Sequence, residues 1–153
     1  MTASKRSSQN MLVAGFLAAT LLSTSSAFAG EFFEADGVAI KGFDAVAYFT
    51  DGKAVRGKKE LSFDYMGSTF LFASAEHRDR FAKDPEVYAP QYRGYCAYGV
   101  TRGYKVKIEG DAFTIVDKKL YLNYDRAVQD DWRKDPKNEI AAADARWPTL
   151  VGK

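Results

Sequence analysis

Leu61-Ser62-Phe63-Asp64-Tyr65, Met66-Gly67, Thr69-Phe70-Leu71-Phe72, then Ser74-Ala75-Glu76-His77-Arg78-Asp79-Arg80-Phe81-Ala82-Lys83 is the stretch that decides the fold. Leu61, Phe63 and Tyr65 alternate with Ser62 and Asp64, the period of a half-buried strand. Met66-Gly67 reads as a turn and Thr69–Phe72 as the returning strand, which makes a hairpin. Ser74 is a good N-cap for a helix over 75–83, and His77 and Phe81, four apart, share one face of it. Asp84-Pro85 ends that helix and opens a short turn through Tyr88.

Outward from this core the pattern repeats. Ala112–Val116 and Leu120–Leu122 predict a second hairpin with Asp117-Lys118-Lys119 as its turn. Asn123 or Asp125 starts a helix to about Lys134. Asp135-Pro136 then starts a last one to about Arg146, before Trp147-Pro148. On the N-terminal side, residues 30–41 form a leading segment. Asp44 caps a short helix to Phe49 that Asp51-Gly52 stops, and 53–60 reads as an exposed loop. The expected architecture is α+β: a small single domain, 30–153, with two β-hairpins and several short helices.

Residues 1–29 read differently. Lys5-Arg6 is followed by the apolar run Met11–Leu22 and by Ala27-Phe28-Ala29 before Gly30, the layout of a removable signal peptide. The run is well short of the ~20 residues that span a bilayer. The expected location is therefore periplasmic or secreted, with no membrane anchor after signal removal. Removal also takes away Lys5 and Arg6 but no acid, which cancels the formal charge of +2. A balanced charge argues against a nucleic-acid partner.

Cys96 is the chain's only cysteine, so an intrachain disulfide cannot form and packing must hold the fold. With 11 Phe, 9 Tyr and 2 Trp, aromatic burial is the obvious source.

Several runs resemble a known family. Lys41-Gly42-Phe43-Asp44-Ala45-Val46-Ala47-Tyr48-Phe49, Tyr65-Met66-Gly67, Asp84-Pro85-Glu86-Val87-Tyr88-Ala89-Pro90-Gln91-Tyr92 and Gly94-Tyr95-Cys96-Ala97 are similar to secreted single-domain YHS proteins. YHS domains are related to TRASH-type metal-binding modules, so the resemblance implies metal handling, with copper the metal that best suits a thiolate. The pattern departs in one place. Where metal-binding relatives carry Phe-Cys-Ser-x-x-Cys, this chain has Phe72-Ala73-Ser74-Ala75-Glu76-His77. One Cys and one His cannot make a four-ligand zinc site without carboxylates.

Three candidate sites follow. Cys96 is a soft metal ligand or, more plainly, a small buried residue among Tyr92, Tyr95 and Tyr98; an intermolecular disulfide or an oxidised thiol are minor readings. His77, the only imidazole, is a possible co-ligand with Glu76 or Asp79, or an ordinary helix-surface histidine. The Tyr-rich segment 88–104 either lines an apolar ligand pocket through Tyr92, Tyr95 and Tyr98 or is core. No Gly-x-Ser-x-Gly elbow, haem-attachment motif, P-loop or dinucleotide fingerprint is present, and no catalytic constellation stands out. The expected function is thus an exported metal (copper) accessory protein. The alternative is a non-catalytic binding module for a small apolar ligand or an unidentified periplasmic protein, with Cys96 in the core.

Overall fold

A computed structural model describes residues 30–153; the signal segment read over 1–29 lies outside the described residues. The described chain has six helices and three two-stranded antiparallel sheets, an α+β arrangement.

The first hairpin forms where the alternation places it. β3 (Lys58–Tyr65) pairs with β4 (Ser68–Phe72), with Phe63 opposite Phe70 and Tyr65 opposite Ser68. Met66 and Gly67 both adopt positive φ, 51° and 76°, the turn that matches strand twist. The loop expected over 53–60 is shorter than read, because Lys58–Glu60 already belong to β3. A break in register between Lys58 and Ser62 bends the strand there and hides the pairing from a simple alternation.

α2 (Ala75–Lys83) starts as predicted, with the Ser74 hydroxyl accepting from the His77 N–H at 3.1 Å. Its buried residue, Phe81, sits among Phe63, Tyr65, Phe70 and Phe72, with ring centroids 4.7–6.1 Å apart. Such pairs add about 0.5–1.5 kcal/mol each beyond area burial. α3 (Pro85–Tyr88) follows directly.

The second hairpin is β5 (Glu109–Val116) with β6 (Lys119–Asn123). Its turn is the two residues Asp117-Lys118, both at positive φ, so Lys119 is already strand. α5 (Arg126–Trp132) begins from Asp125, whose carboxylate accepts from the Val128 N–H at 2.8 Å. α6 (Pro136–Leu150) begins from Asp135, as expected. It runs past the predicted stop and carries Pro148 within its last turns. A proline there forfeits a hydrogen bond, but Trp147 packs on Tyr92 and Tyr95 and Leu150 joins the same apolar cluster, which holds the turn in place.

A two-stranded ribbon and one helix were not expected. β1 (Glu34–Ala35) and β2 (Val38–Ala39) make a small ribbon around Asp36-Gly37. α4 (Ala97–Thr101) forms inside the Tyr/Gly-rich segment. The helix expected from Asp44 starts later, as α1 (Ala47–Thr50), although Asp44 does bond its first turn. No helix among the described residues is long and apolar enough to cross a membrane.

The buried side chains fall into two clusters. The larger joins Phe32 and Ile40 to Phe70, Phe72 and Phe81 and to Ile108, Leu120 and Leu122. The smaller joins Tyr92, Val100, Tyr121, Trp132 and Ala143 under α6. Cys96 lies in the first, at the boundary where α4, β6 and the 104–107 segment meet.

Candidate functional site

Cys96 stands just before α4, after a tight turn in which Tyr92, Arg93 and Gly94 all take positive φ. Its own N–H donates to Val106 O at 3.0 Å, which ties the start of α4 to the 104–107 segment. The side chain is 1% exposed. Its sulfur accepts from the Gly99 N–H at 3.4 Å and the Tyr124 N–H at 3.2 Å, with the Asn123 amide nitrogen 4.0 Å away. The sulfur is therefore embedded among backbone and amide donors.

Over the sulfur lies an open cleft of about 380 Å³ whose accessible wall is apolar. Tyr98, Tyr104, Val106, Tyr124 and Val128 form its sides. These residues come from α4, the 104–107 segment, the link after β6 and α5, so their convergence is a product of the fold. Gly99 makes the convergence possible. A Cβ there would lie 2.5 Å from Val106 Cγ2 and 3.2 Å from Tyr104 O, so only glycine lets the 104–106 segment lie this close to α4. Two cations cover aromatic walls of the cleft. The Arg102 guanidinium is 3.5 Å from the Tyr98 ring centroid and the Lys107 ammonium 5.1 Å from that of Tyr124.

His77 is held elsewhere. Nδ1 is 2.7 Å from Asp44 Oδ2, and Nε2 is 3.3 Å from Thr50 Oγ1 and 4.0 Å from Asp51 Oδ1. Asp44 is fully buried. Its two oxygens also accept from the N–H groups of Val46, Ala47 and Ala73, at 2.9, 3.1 and 2.8 Å. A buried carboxylate with this many donors is satisfied. It also fixes the imidazole ring, as carboxylates do when they orient a histidine. Glu76, the other residue named beside His77, pairs with Arg80, and Asp79 pairs with Arg78.

Cys96 and His77 thus have no bonding partner in common. His77 turns its two nitrogens to Asp44 and Thr50, and Cys96 turns its sulfur to Gly99 and Tyr124. Among the described residues no group of three or more His, Cys, Asp or Glu side chains is placed to hold a metal ion. The donor set around the sulfur is N–H groups, which cannot coordinate a cation, so these residues do not fit a metal centre shared by Cys96 and His77.

The three tyrosines also part company. Only Tyr98 lines the cleft over Cys96. Tyr92 is buried, and its hydroxyl donates to Asp144 Oδ1 at 2.8 Å; burial first, then that carboxylate, pushes its phenol pKa far up. Tyr95 stacks on Phe33 and Trp147, and burial raises its pKa. Sequence reasoning missed Val106, Tyr124 and Val128, which carry no local signal for the cleft. It also missed the reach of Asp44, read only as a helix cap.

The family model for the YHS domain matches residues 46–92, less than half of the chain. No curated protein and no solved structure gives a significant match. The matched segment carries α1, the first hairpin, α2 and α3, together with His77, whereas Cys96 and its cleft lie beyond its last residue; what is similar to a YHS domain in this chain is the first hairpin and its helices.

Proposed function

We propose that this protein is a non-catalytic binding module, and that the cleft over Cys96 receives a small apolar ligand. The observation behind this reading is the cleft itself: an apolar-walled space of about 380 Å³ with a satisfied sulfur at its base. That volume falls in the lower part of the range of small-molecule sites, about 300–1,000 Å³. A larger cleft of about 550 Å³, between Lys53, Phe113, Arg126 and Arg133, has a more polar wall and suits such a ligand less well. The leader-like sequence over 1–29 supports a working place outside the cytoplasm.

The test is titration of the purified protein with a neutral, environment-sensitive aromatic probe such as N-phenylnaphthylamine. Saturable fluorescence enhancement is expected, and it should be lost in Val128→Phe, which fills the cleft, while thermal melting confirms that the variant is folded. Binding that is non-saturable, or unaltered by a folded Val128→Phe, removes the cleft as the site.

Copper is the competing reading. It is supported by the match of residues 46–92 to the YHS domain and by a sulfur that borders an open cleft. Titration of Cu(I), Zn(II) and Ni(II) into the reduced protein separates the two. Stoichiometric Cu(I) binding that disappears in Cys96→Ala would favour the metal; binding that is absent, or unchanged in that variant, would leave the apolar module standing.

A further inference from the structure

The apolar wall of the cleft carries a charge pattern that narrows its occupant. Lys107 lies on the Tyr124 ring and has no carboxylate within ion-pair distance among the described residues. Arg102, flat on the Tyr98 ring, bonds Glu139 Oε2 at 3.1 Å through a single nitrogen, Nη1. A guanidinium has five N–H donors, so it retains others for a second anion. Two acids of α5 and α6 are paired with cations, Asp131 with Lys134 and Glu139 with Arg102, and Asp125 accepts from the Val128 N–H at the start of α5. Arg102, which lines the cleft, and Lys107, which lies against the Tyr124 ring without lining it, therefore set positive charge beside an apolar, ring-lined space.

We infer that the ligand of the Cys96 cleft is a small aromatic carboxylate, its ring set among Tyr98, Tyr104 and Tyr124 and its anionic end at Lys107, with Arg102 as the second cation. This rests on the proposed binding role of the same cleft and goes further by naming the ligand class. The chemistry is complementary at both ends. Aromatic rings prefer offset or edge contacts with other rings. A carboxylate beside an ammonium at the edge of an apolar surface makes a charge-assisted hydrogen bond in a setting less screened than bulk water. A neutral apolar ligand of the same shape would gain the first interaction and forgo the second.

The experiment compares naphthylacetate with naphthylacetamide, which share a ring system and differ in charge, by fluorescence titration of the protein at low and moderate salt. The acid is expected to bind about tenfold tighter than the amide at low salt, with the gap shrinking as salt rises. In Lys107→Gln the gap should fall to about twofold or less, chiefly through weaker binding of the acid. Arg102→Gln should narrow it by a smaller factor. Both positions are exposed, so the variants should fold, and melting curves check this. Equal binding of acid and amide by the native protein overturns the ligand class but leaves the apolar module intact. A preference for the acid that survives in both variants overturns the placement of its charge. Failure of acid, amide and N-phenylnaphthylamine alike removes the module and the inference together.

Discussion

Asp44 accepts four hydrogen bonds from three parts of the fold: two from the start of α1, one from the end of the first hairpin and one from the imidazole of α2. Removing the carboxylate would leave Val46, Ala47 and Ala73 with buried N–H groups and His77 with an unpaired nitrogen. Each such loss costs about 1–3 kcal/mol when a buried donor is left without a partner. Asp44→Ala is therefore expected to lower stability by about 3–5 kcal/mol, measured by denaturant unfolding. A loss below about 1 kcal/mol would mean that water replaces the carboxylate at no penalty. The cap on α1 was legible in the sequence, because an Asp before an apolar run is a local signal. The bonds to Ala73 and His77 were not, since they depend on chain segments about thirty residues away meeting at one point. Cys96 was singled out for its uniqueness, yet its burial could not be read from its position. At 1% exposure its thiol should label at least roughly a hundredfold more slowly in the native protein than in denaturant, since reagent must wait for local opening. Prompt native labelling would show that the cleft breathes open to its base.

The two hairpin turns show where reading an element from sequence succeeds and where it stalls. Both place two successive residues at positive φ: Met66-Gly67 at 51° and 76°, Asp117-Lys118 at 49° and 61°. The first has a glycine and is recognisable; the second has none, so the turn was read one residue too long. Lys118 accepts a left-handed backbone that a side chain disfavours by about 1 kcal/mol or more. Lys118→Gly should therefore stabilise the protein by about 0.5–1 kcal/mol, net of the entropy that glycine adds to the unfolded chain. A thermal melt that moves down instead would show that the Lys118 side chain contributes more than its backbone costs. The missed ribbon had its signal in Asp36-Gly37, a common two-residue hairpin turn. α4 had none, because it is a five-residue helix with a glycine in it, formed by what packs around it.

Across the whole molecule, the core is rich in phenols as well as phenyl rings. Burial raises the pKa of Tyr48, with Asp111 adding to it, and of Tyr92, with Asp144 adding to it, while Tyr121 is pushed up to about 12 by burial first and then by Asp144 and Asp117. A phenol whose pKa is higher folded than unfolded keeps its proton better in the folded state. Its contribution to stability is complete below the ordinary value of 10.0 and is lost as pH rises through the folded value. Unfolding free energy should therefore be insensitive to these groups up to about pH 10 and should fall steeply between about pH 10 and 12. Denaturant titrations at stepped alkaline pH, read beside tyrosine absorbance, test this. Early ionisation of every tyrosine with no loss of stability would contradict the burial of Tyr48, Tyr92 and Tyr121.

The larger apolar cluster has a practical consequence for anyone who would cut this chain. Residues 46–92 supply Phe70, Phe72 and Phe81, but Phe32 and Ile40 come from before that stretch and Ile108, Leu120 and Leu122 from after it. The hydroxyl of Tyr92, the last residue of the stretch, is bonded to Asp144 near the far end of the chain. A fragment trimmed to the matched boundaries would carry half an interior with nothing to close it, and would be expected to aggregate on expression. Swapping that stretch between homologous chains would meet the same obstacle unless the second hairpin and the last helix travelled with it.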